Sequence, residues 1–332
     1  MLKRTIALII LILLAGCGQS EPQKAEPETN NAPQYSEVQL GELSKLCDAD
    51  EPSEASVVSC ITLNRVKKSI ILDLEGMNIR GFPEDAFMEM EHVRILRLGN
   101  NSLSEFSESI AMLKKLRQIY IDDNNFSEFP TVLLSLSGLK DIFASNNHIG
   151  SMPKEIERLK SLRRIMISLN DFREFPVQLK ENKELRILDL SMNKISVIPK
   201  EIGNFDALVG LSLSGNKLRE IPREIGMMTK LTMLDLSANE LKELPVEIAA
   251  LPELRMSVEG HHGFVRAFVS IGFNEDVEDI YGSDAAKAHD IYDKPEKFSG
   301  MNILFNNIGK LESEFCNVFF IKRDIETILN CD

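Results

Sequence analysis

The residues best suited to chemistry in this 332-residue sequence are five cysteines, a histidine pair and an acidic cluster. His261 and His262 are adjacent, so on a helix or a strand their side chains point apart, which disfavours a shared metal ion. The cluster at 274–279 offers the oxygen ligands that Ca²⁺ prefers, but it lacks the spacing and the glycine of an EF-hand. We therefore interpret both groups as surface or cap residues and predict no metal and no cofactor.

Motifs that carry catalysis are missing from the sequence. Phosphate-binding glycine loops, the G-x-S-x-G nucleophile turn and the H-E-x-x-H zinc motif do not occur. We predict that the protein is not an enzyme, with an envelope enzyme or metal-binding module in residues 255–332, or a structural assembly protein, as alternatives. The net charge of −13 disfavours nucleic acid as a partner, because binding phosphates requires a basic face.

The first residues form an address. Lys3 and Arg4 precede an apolar run, 6–14, that is too short to span a bilayer. The run ends in Leu-Ala-Gly-Cys17 and resembles the signal of bacterial lipoproteins. The resemblance implies that residues 1–16 are removed and that acyl chains on Cys17 hold the protein on a membrane of the bacterial envelope. Gly18 after the cysteine favours the outer membrane, on its periplasmic or its surface face. The alternative is an ordinary signal peptide or an uncleaved anchor.

Residues 17–42 follow as a tether. Three prolines lie there among glutamine, glutamate, asparagine and serine, with almost nothing to bury. Such a composition is typical of a flexible or partly polyproline-like linker. We expect it to lift the folded part of the chain off the lipid surface.

The middle of the chain is a single repeat. Residues 93–103 read VRILRLGNNSL and residues 116–126 read LRQIYIDDNNF, and the pattern restarts every 23 residues up to 254. With a poorer first copy, eight repeats fill 69–253. The alternation of apolar residues predicts one short strand per repeat, with one face buried.

This pattern resembles the leucine-rich repeat family, in its 23-residue form with a proline after the loop. The resemblance implies an α/β solenoid: a curved parallel sheet on the concave face, and short helices or 3₁₀ turns on the convex face. A solenoid needs caps at both ends. We assign the N-terminal cap to 43–68, and a C-terminal cap or small subdomain to 254–332.

Two columns recur in register through the repeats. An asparagine leaves each strand from the second repeat onward, where a buried amide can satisfy backbone groups of its own coil and the next. We interpret this asparagine ladder as structural: Asn101, Asn124, Asn147, Asn170, Asn193, Asn216 and Asn239. A proline recurs in most repeats and suits the first position of a helical turn on the convex side.

Four cysteines remain besides Cys17. In an oxidising compartment an even number favours disulfides. Eight coils about 4.8 Å apart separate the two ends by roughly 35 Å, whereas bridged Cα atoms lie within about 7 Å. The geometry leaves the pairs Cys47–Cys60 and Cys316–Cys331, with four buried thiols as the alternative.

The side chains between the apolar strand positions point outwards on the concave face. Three of them form an apolar stripe across neighbouring strands, which we expect to be exposed and to be rimmed by charges. Such a patch favours binding of a protein, from a host or from the envelope. The predicted partner-binding residues are Arg97, Tyr120, Asp122, Asp141, Phe143, Arg164 and Met166.

Overall fold

The computed structural model describes residues 35–48, 51–252, 254 and 300–302. Several predictions fall outside these residues: the signal and Cys17, most of the tether, the histidine pair, the acidic cluster, the Cys316–Cys331 pair and nearly all of the C-terminal cap. The alternative of an enzyme or metal module in 255–332 also falls there.

The described residues form one parallel sheet of nine strands, which lie side by side in chain order. Each strand has three residues, and the 23-residue spacing repeats from β2 to β8. The strands are β1 Ile71–Asp73, β2 Ile95–Arg97, β3 Gln118–Tyr120, β4 Asp141–Phe143, β5 Arg164–Met166, β6 Ile187–Asp189, β7 Gly210–Ser212, β8 Met233–Asp235 and β9 Gly300–Asn302.

The register follows from the repeat length. Residues 23 apart are direct neighbours from β2 to β8, as Ile119 and Ile142 are in β3 and β4. The aliphatic residue at the centre of each strand from β1 to β8 points into the core and is 0–2 % exposed. Burial of one aliphatic column by the next is therefore what aligns the coils.

The ninth strand joins the sheet after a long excursion of the chain. Gly300 pairs with Met233 and Asn302 with Asp235, both in parallel register. The preceding strand ends at 235, so the spacing of 23 residues does not continue. The sequence prediction of eight repeats therefore accounts for β1 to β8, and β9 was not foreseen.

Two α-helices precede the sheet: α1 Glu37–Cys47 and α2 Glu54–Lys67. Ser36 and Ser53 begin them as N-caps, and both form reciprocal side-chain bonds with the third helical residue. The helix α1 starts six residues before the predicted cap boundary at 43. The end of the predicted tether is therefore helical, because Ser36 and Gln39 supply a capping box inside that polar sequence.

A disulfide joins the two helices, between Cys47 and Cys60. Cys60 and Ile61 are buried against the first coil, together with Leu72. This bridge was predicted from the sequence, and it links α1 to the helix that closes the end of the solenoid.

Short 3₁₀ helices form the convex side, one in each repeat from the second to the eighth within 51–252. Their bounds are Glu108–Met112, Thr131–Ser135, Lys154–Arg158, Val177–Glu181, Lys200–Asn204, Arg223–Met227 and Val246–Ala250. Proline is the N-cap in six of them, one position earlier than predicted, and its carbonyl accepts the first bond of the turn. Ile156 and its equivalents are 0 % exposed, so the convex turns pack into the core.

The asparagine ladder lies where the strands end. Asn147 shows the pattern: its amide donates to the carbonyls of Ile121, Ala144 and Ser145, and its carbonyl oxygen accepts the Phe126 N–H. Each amide thereby connects neighbouring coils. Met77 takes the place of the asparagine in the first repeat, where the cap helices adjoin the coil.

Candidate functional site on the concave sheet

Aromatic and cationic side chains stack across the first strands on the concave face. The rings of Tyr120 and Phe143 are parallel, with centroids 4.3 Å apart. Arg97 lies over the Tyr120 ring at 5.8 Å, and Arg164 lies over the Phe143 ring at 5.4 Å. Parallel strands about 4.8 Å apart place equivalent side chains at stacking distance. The four residues form one ordered cluster, which we call the concave stack.

A buried polar network lies beside the concave stack. Arg164 Nε donates to Asp141 Oδ1 at 3.2 Å, and Gln118 Nε2 donates to Asp141 Oδ2 at 2.8 Å. The Tyr120 hydroxyl donates to Gln118 Oε1 at 3.4 Å. The side chains of Asp141 and Arg164 are only 1–2 % exposed. The network therefore holds the ring and the guanidinium groups in fixed positions.

The prediction of an exposed apolar stripe was wrong for two of its three members. Phe143 is 7 % exposed and Met166 is 6 % exposed, whereas Tyr120 is half-buried. Asp141 and Arg164, predicted as rim charges, are buried too. The sequence reasoning treated each outward side chain separately, whereas in the structure the ring faces are covered by one another and by Arg164.

The accessible part of the predicted set lies at its N-terminal end. The Arg97 side chain is 22 % exposed and bonds Asp73 on β1, whose side chain is half exposed, at 3.2 Å. Asp122 is half-buried at the end of β3, and its Oδ1 accepts the Ser145 N–H at 2.8 Å. The structure thus brings all seven predicted residues to one side of the sheet, with Arg97, Tyr120 and Asp122 nearest to solvent.

Burial alters the acidity of two carboxyl groups on this face. Desolvation raises the pKa of Asp122 to about 6, although the bond from the Ser145 N–H partly opposes this change. Desolvation also raises the pKa of Asp189 on β6, where bonds from Ser191 act in the opposite direction. These two groups lie apart along the sheet, so they do not form a paired acid and base.

Gln118 is the residue of this site that sequence reasoning did not assign. It stands one position before the central aliphatic of β3, and its amide links Tyr120 to Asp141. A signal was available, because amide and carboxylate residues at the same position of adjacent repeats are direct cross-strand neighbours.

Other parts of the described structure show no arrangement for catalysis. A cleft of about 550 Å³ lies between α2 and residues 77–89, and Arg65 crosses it to donate to the carbonyls of Ala86 and Met88. No group of three or more potential metal ligands occurs among the described residues. The helices within those residues are all too short or too polar to cross a membrane.

Comparison with known proteins agrees with this architecture. Residues 71–126 and 184–205 each match a leucine-rich repeat family profile. No curated protein sequence matches the chain. The solved structure of a leucine-rich repeat protein from Leptospira interrogans is 32 % identical, with a TM-score of 0.55, over 62 % of this chain and 51 % of that one.

Two plant receptors share the fold as well. The peptide hormone receptor RGFR1, solved in complex with RGF2, is 30 % identical with a TM-score of 0.51, over 60 % of this chain and 33 % of the receptor. The ectodomain of GASSHO1/SCHENGEN3 from Arabidopsis thaliana is 24 % identical with a TM-score of 0.51, over 70 % of this chain and 26 % of that one. This chain therefore spans about half or less of these proteins. The nine parallel strands, the asparagine ladder and the matched repeats together identify the protein as a leucine-rich repeat protein, folded as a solenoid.

Proposed function

We propose that this protein is a lipid-anchored, extracytoplasmic binding module that recognises a protein partner through its concave face. The observation that carries the proposal is the concave stack, in which two rings and two guanidinium groups are aligned across four strands. Ordered aromatic and arginine side chains are the residues that contribute most to protein interfaces. Their positions are fixed before binding, so little conformational entropy is lost when a partner docks.

Two further observations support a binding role over a catalytic one. The carboxyl groups with altered acidity lie apart along the sheet, and no described cluster suits a metal ion. Leucine-rich repeat proteins are typically binding proteins, and the similar RGFR1 structure is itself a complex with RGF2. The size of the partner is set by the sheet, which presents a continuous concave surface about 34 Å long from β1 to β8.

Site-specific photocrosslinking in intact cells tests the proposed face. A photoreactive residue replaces Arg97 in one variant, and replaces Met227 on the convex side in the control. We expect a discrete crosslinked protein from position 97 and none of the same mass from position 227. Crosslinks of equal yield and mass from both positions would reject the concave face as the binding site.

A paired substitution tests the concave stack itself. In the variant Tyr120→Ala/Phe143→Ala we expect the recovery of that crosslinked partner to fall at least about tenfold. Because Phe143 is buried, circular dichroism must first show that this variant folds, and Tyr120→Ala alone provides a second, milder test. Unchanged recovery from folded variants would remove the concave stack from the proposed site.

The lipid anchor is a separate part of the proposal and rests on the sequence around Cys17. Multiple acyl chains hold a protein on a bilayer stably, whereas one chain gives only marginal binding. We expect metabolic labelling with a tagged palmitate to mark the wild-type chain and not Cys17→Ser. Membrane fractionation should then place the wild type with the outer membrane of the bacterial envelope. Labelling of Cys17→Ser would contradict the anchor.

A further inference from the structure

A column of cations lies along the edge of the sheet where the strands begin. The residue directly before the strand is Arg or Lys in five consecutive repeats, and we call these five residues the basic column. They are Arg94, Arg117, Lys140, Arg163 and Arg186. Ile70 and Val209 occupy the same position in the flanking repeats, so the column has a defined beginning and end.

Backbone hydrogen bonds hold the basic column in register. The N–H of Arg117 donates to the carbonyl of Arg94 at 2.8 Å, and each later member donates to the one before it at the same distance. At about 4.8 Å per strand, the column extends over about 19 Å. Its length and direction are therefore fixed by the sheet and do not depend on side-chain conformation.

The surroundings of the basic column are also cationic. The four-residue segments that lead into these strands are 91–94, 114–117, 137–140, 160–163 and 183–186. They contain nine Lys or Arg and two Glu, although the whole chain has a net charge of −13. Like charges in neighbouring coils repel each other, so anions bound along this edge would stabilise it.

Negative charge is concentrated elsewhere on the described repeats. A glutamate stands one residue before the buried side chain that precedes the proline position in five repeats, and all five glutamates are exposed: Glu105, Glu128, Glu174, Glu220 and Glu243. The solenoid is therefore segregated in charge. Such segregation steers a partner of opposite charge to one edge and repels it from the rest.

We propose that the basic column binds an acidic stretch of a protein partner, which runs across the strands in an extended conformation. Four of its five cations are arginines, whose planar guanidinium groups bind carboxylates through paired hydrogen bonds. About six residues of extended chain match its length. A flat anionic membrane fits poorly, since the column is a single file and the exposed glutamates would face the same charge.

The concave stack is close enough to share such a partner. Tyr120 and Phe143 follow Arg117 and Lys140 by three residues on the same two strands. A peptide that places carboxylates on the column can therefore place apolar side chains on the stack. The inference rests on the proposed function in this respect, because it names the chemistry of a protein partner bound at that face.

Direct binding of a defined peptide tests the inference. The probe is a fluorescein-labelled peptide of twelve glutamates, and its anisotropy is measured with the mature chain in detergent at 50 and 300 mM NaCl. The variant is Arg163→Glu/Arg186→Glu. The matched control is Lys154→Glu/Lys200→Glu, which makes the same change of net charge on two exposed lysines of the convex side.

We expect the wild type to bind the peptide at 50 mM NaCl and more weakly at 300 mM NaCl, as screening requires. The column variant should bind at least about tenfold more weakly, and the control within about twofold of the wild type. Arg186 is exposed, so Arg186→Glu alone gives a milder variant if the double one fails to fold. We expect about a threefold loss from it.

Four outcomes would overturn the inference. The first is failure of the wild type to bind the peptide, and the second is an equal loss in the column variant and the control. The third is binding of dextran sulfate or anionic vesicles, and not of the peptide, that depends on the column. The fourth is self-association in sedimentation velocity that the column variant abolishes while the peptide does not bind.

The two proposals can fail separately. If the peptide does not bind but the crosslink from position 97 persists and depends on Tyr120, then only the inference about acidic chemistry is wrong. If the peptide binds through the column but no crosslink forms from position 97, then the concave stack is wrong as the partner site, and the column still binds acidic chains.

Discussion

Arg164 and Asp141 form an ion pair between adjacent strands, with Nε and Oδ1 3.2 Å apart and both side chains almost completely buried. Burying two charges removes their hydration, and the pair offsets that cost only if its geometry is good and its remaining polar atoms are bonded. Gln118 supplies one such bond, to the second oxygen of Asp141. The pair therefore fixes the positions of side chains more than it adds to stability.

A double-mutant cycle measures this pair. We expect Asp141→Leu to lower the free energy of unfolding by about 3 kcal/mol, because it leaves a buried guanidinium without its carboxylate. Arg164→Met should have a similar effect. The double variant Asp141→Leu/Arg164→Met should lose much less than the sum, and urea unfolding checks all four proteins. Additive losses would show that the two charges are not coupled.

The asparagine ladder provides a second prediction. In Asn147→Ala the N–H of Phe126 loses its acceptor in a buried environment, and the amide bonds to Ile121 and Ala144 disappear. We expect the free energy of unfolding to fall by about 2–3 kcal/mol, as for a buried donor left unsatisfied. The control is Asn125→Ala, since that side chain is exposed, and its loss should stay within about 0.5 kcal/mol. Equal losses in urea unfolding would contradict a special role for the ladder.

Much of the fold could be predicted because the repeat fixes it. The spacing of 23 residues places Ile119 beside Ile142, and no other register would bury both. The pairing of Cys47 with Cys60 followed from distance alone, since no other pairing is short enough. The strand β9 did not follow, because its position after β8 depends on a pairing that breaks the spacing.

The candidate site was harder to predict because it depends on how side chains meet. The sequence shows that Tyr120 and Phe143 lie on neighbouring strands, but not that their rings stack and exclude solvent. It shows Asp141 and Arg164 as charges, but not that they bury each other. Position in a repeat predicts the direction of a side chain, whereas exposure depends on its neighbours.

A buried asparagine on the convex side gives a third prediction. Asn182 occupies a position that is apolar in the other described repeats, as at Leu159 and Phe205, and is 3 % exposed. Its Nδ2 donates to the carbonyls of Ile156 and Leu159, but among the described contacts its Oδ1 has no partner. Burying a polar atom without a partner costs free energy. This position is therefore a local weakness in the core.

Asn182→Leu should raise the free energy of unfolding by about 1 kcal/mol. The two carbonyls that lose the amide still accept backbone bonds, from the N–H groups of Leu159 and Leu162. The control is Asn204→Leu, because that asparagine is exposed on the neighbouring coil. Thermal unfolding should show a higher midpoint for Asn182→Leu alone, and a lower midpoint would mean that the bonds of Asn182 outweigh its unsatisfied oxygen.

The pH dependence of stability reports on Asp122. Desolvation raises its pKa to about 6 in the folded protein, whereas an unfolded aspartate titrates near 3.9. Between these values the folded state binds more protons than the unfolded state, so this group makes the free energy of unfolding fall as the pH rises. Asp122→Asn removes the titration while its oxygen can still accept the Ser145 N–H. The stability of Asp122→Asn relative to wild type should therefore increase from pH 4 to pH 7 in urea unfolding. The same comparison for the exposed neighbour Asp123→Asn isolates the general effect of removing one negative charge from an acidic chain. Parallel profiles for wild type and Asp122→Asn would show that Asp122 is not desolvated in the folded protein.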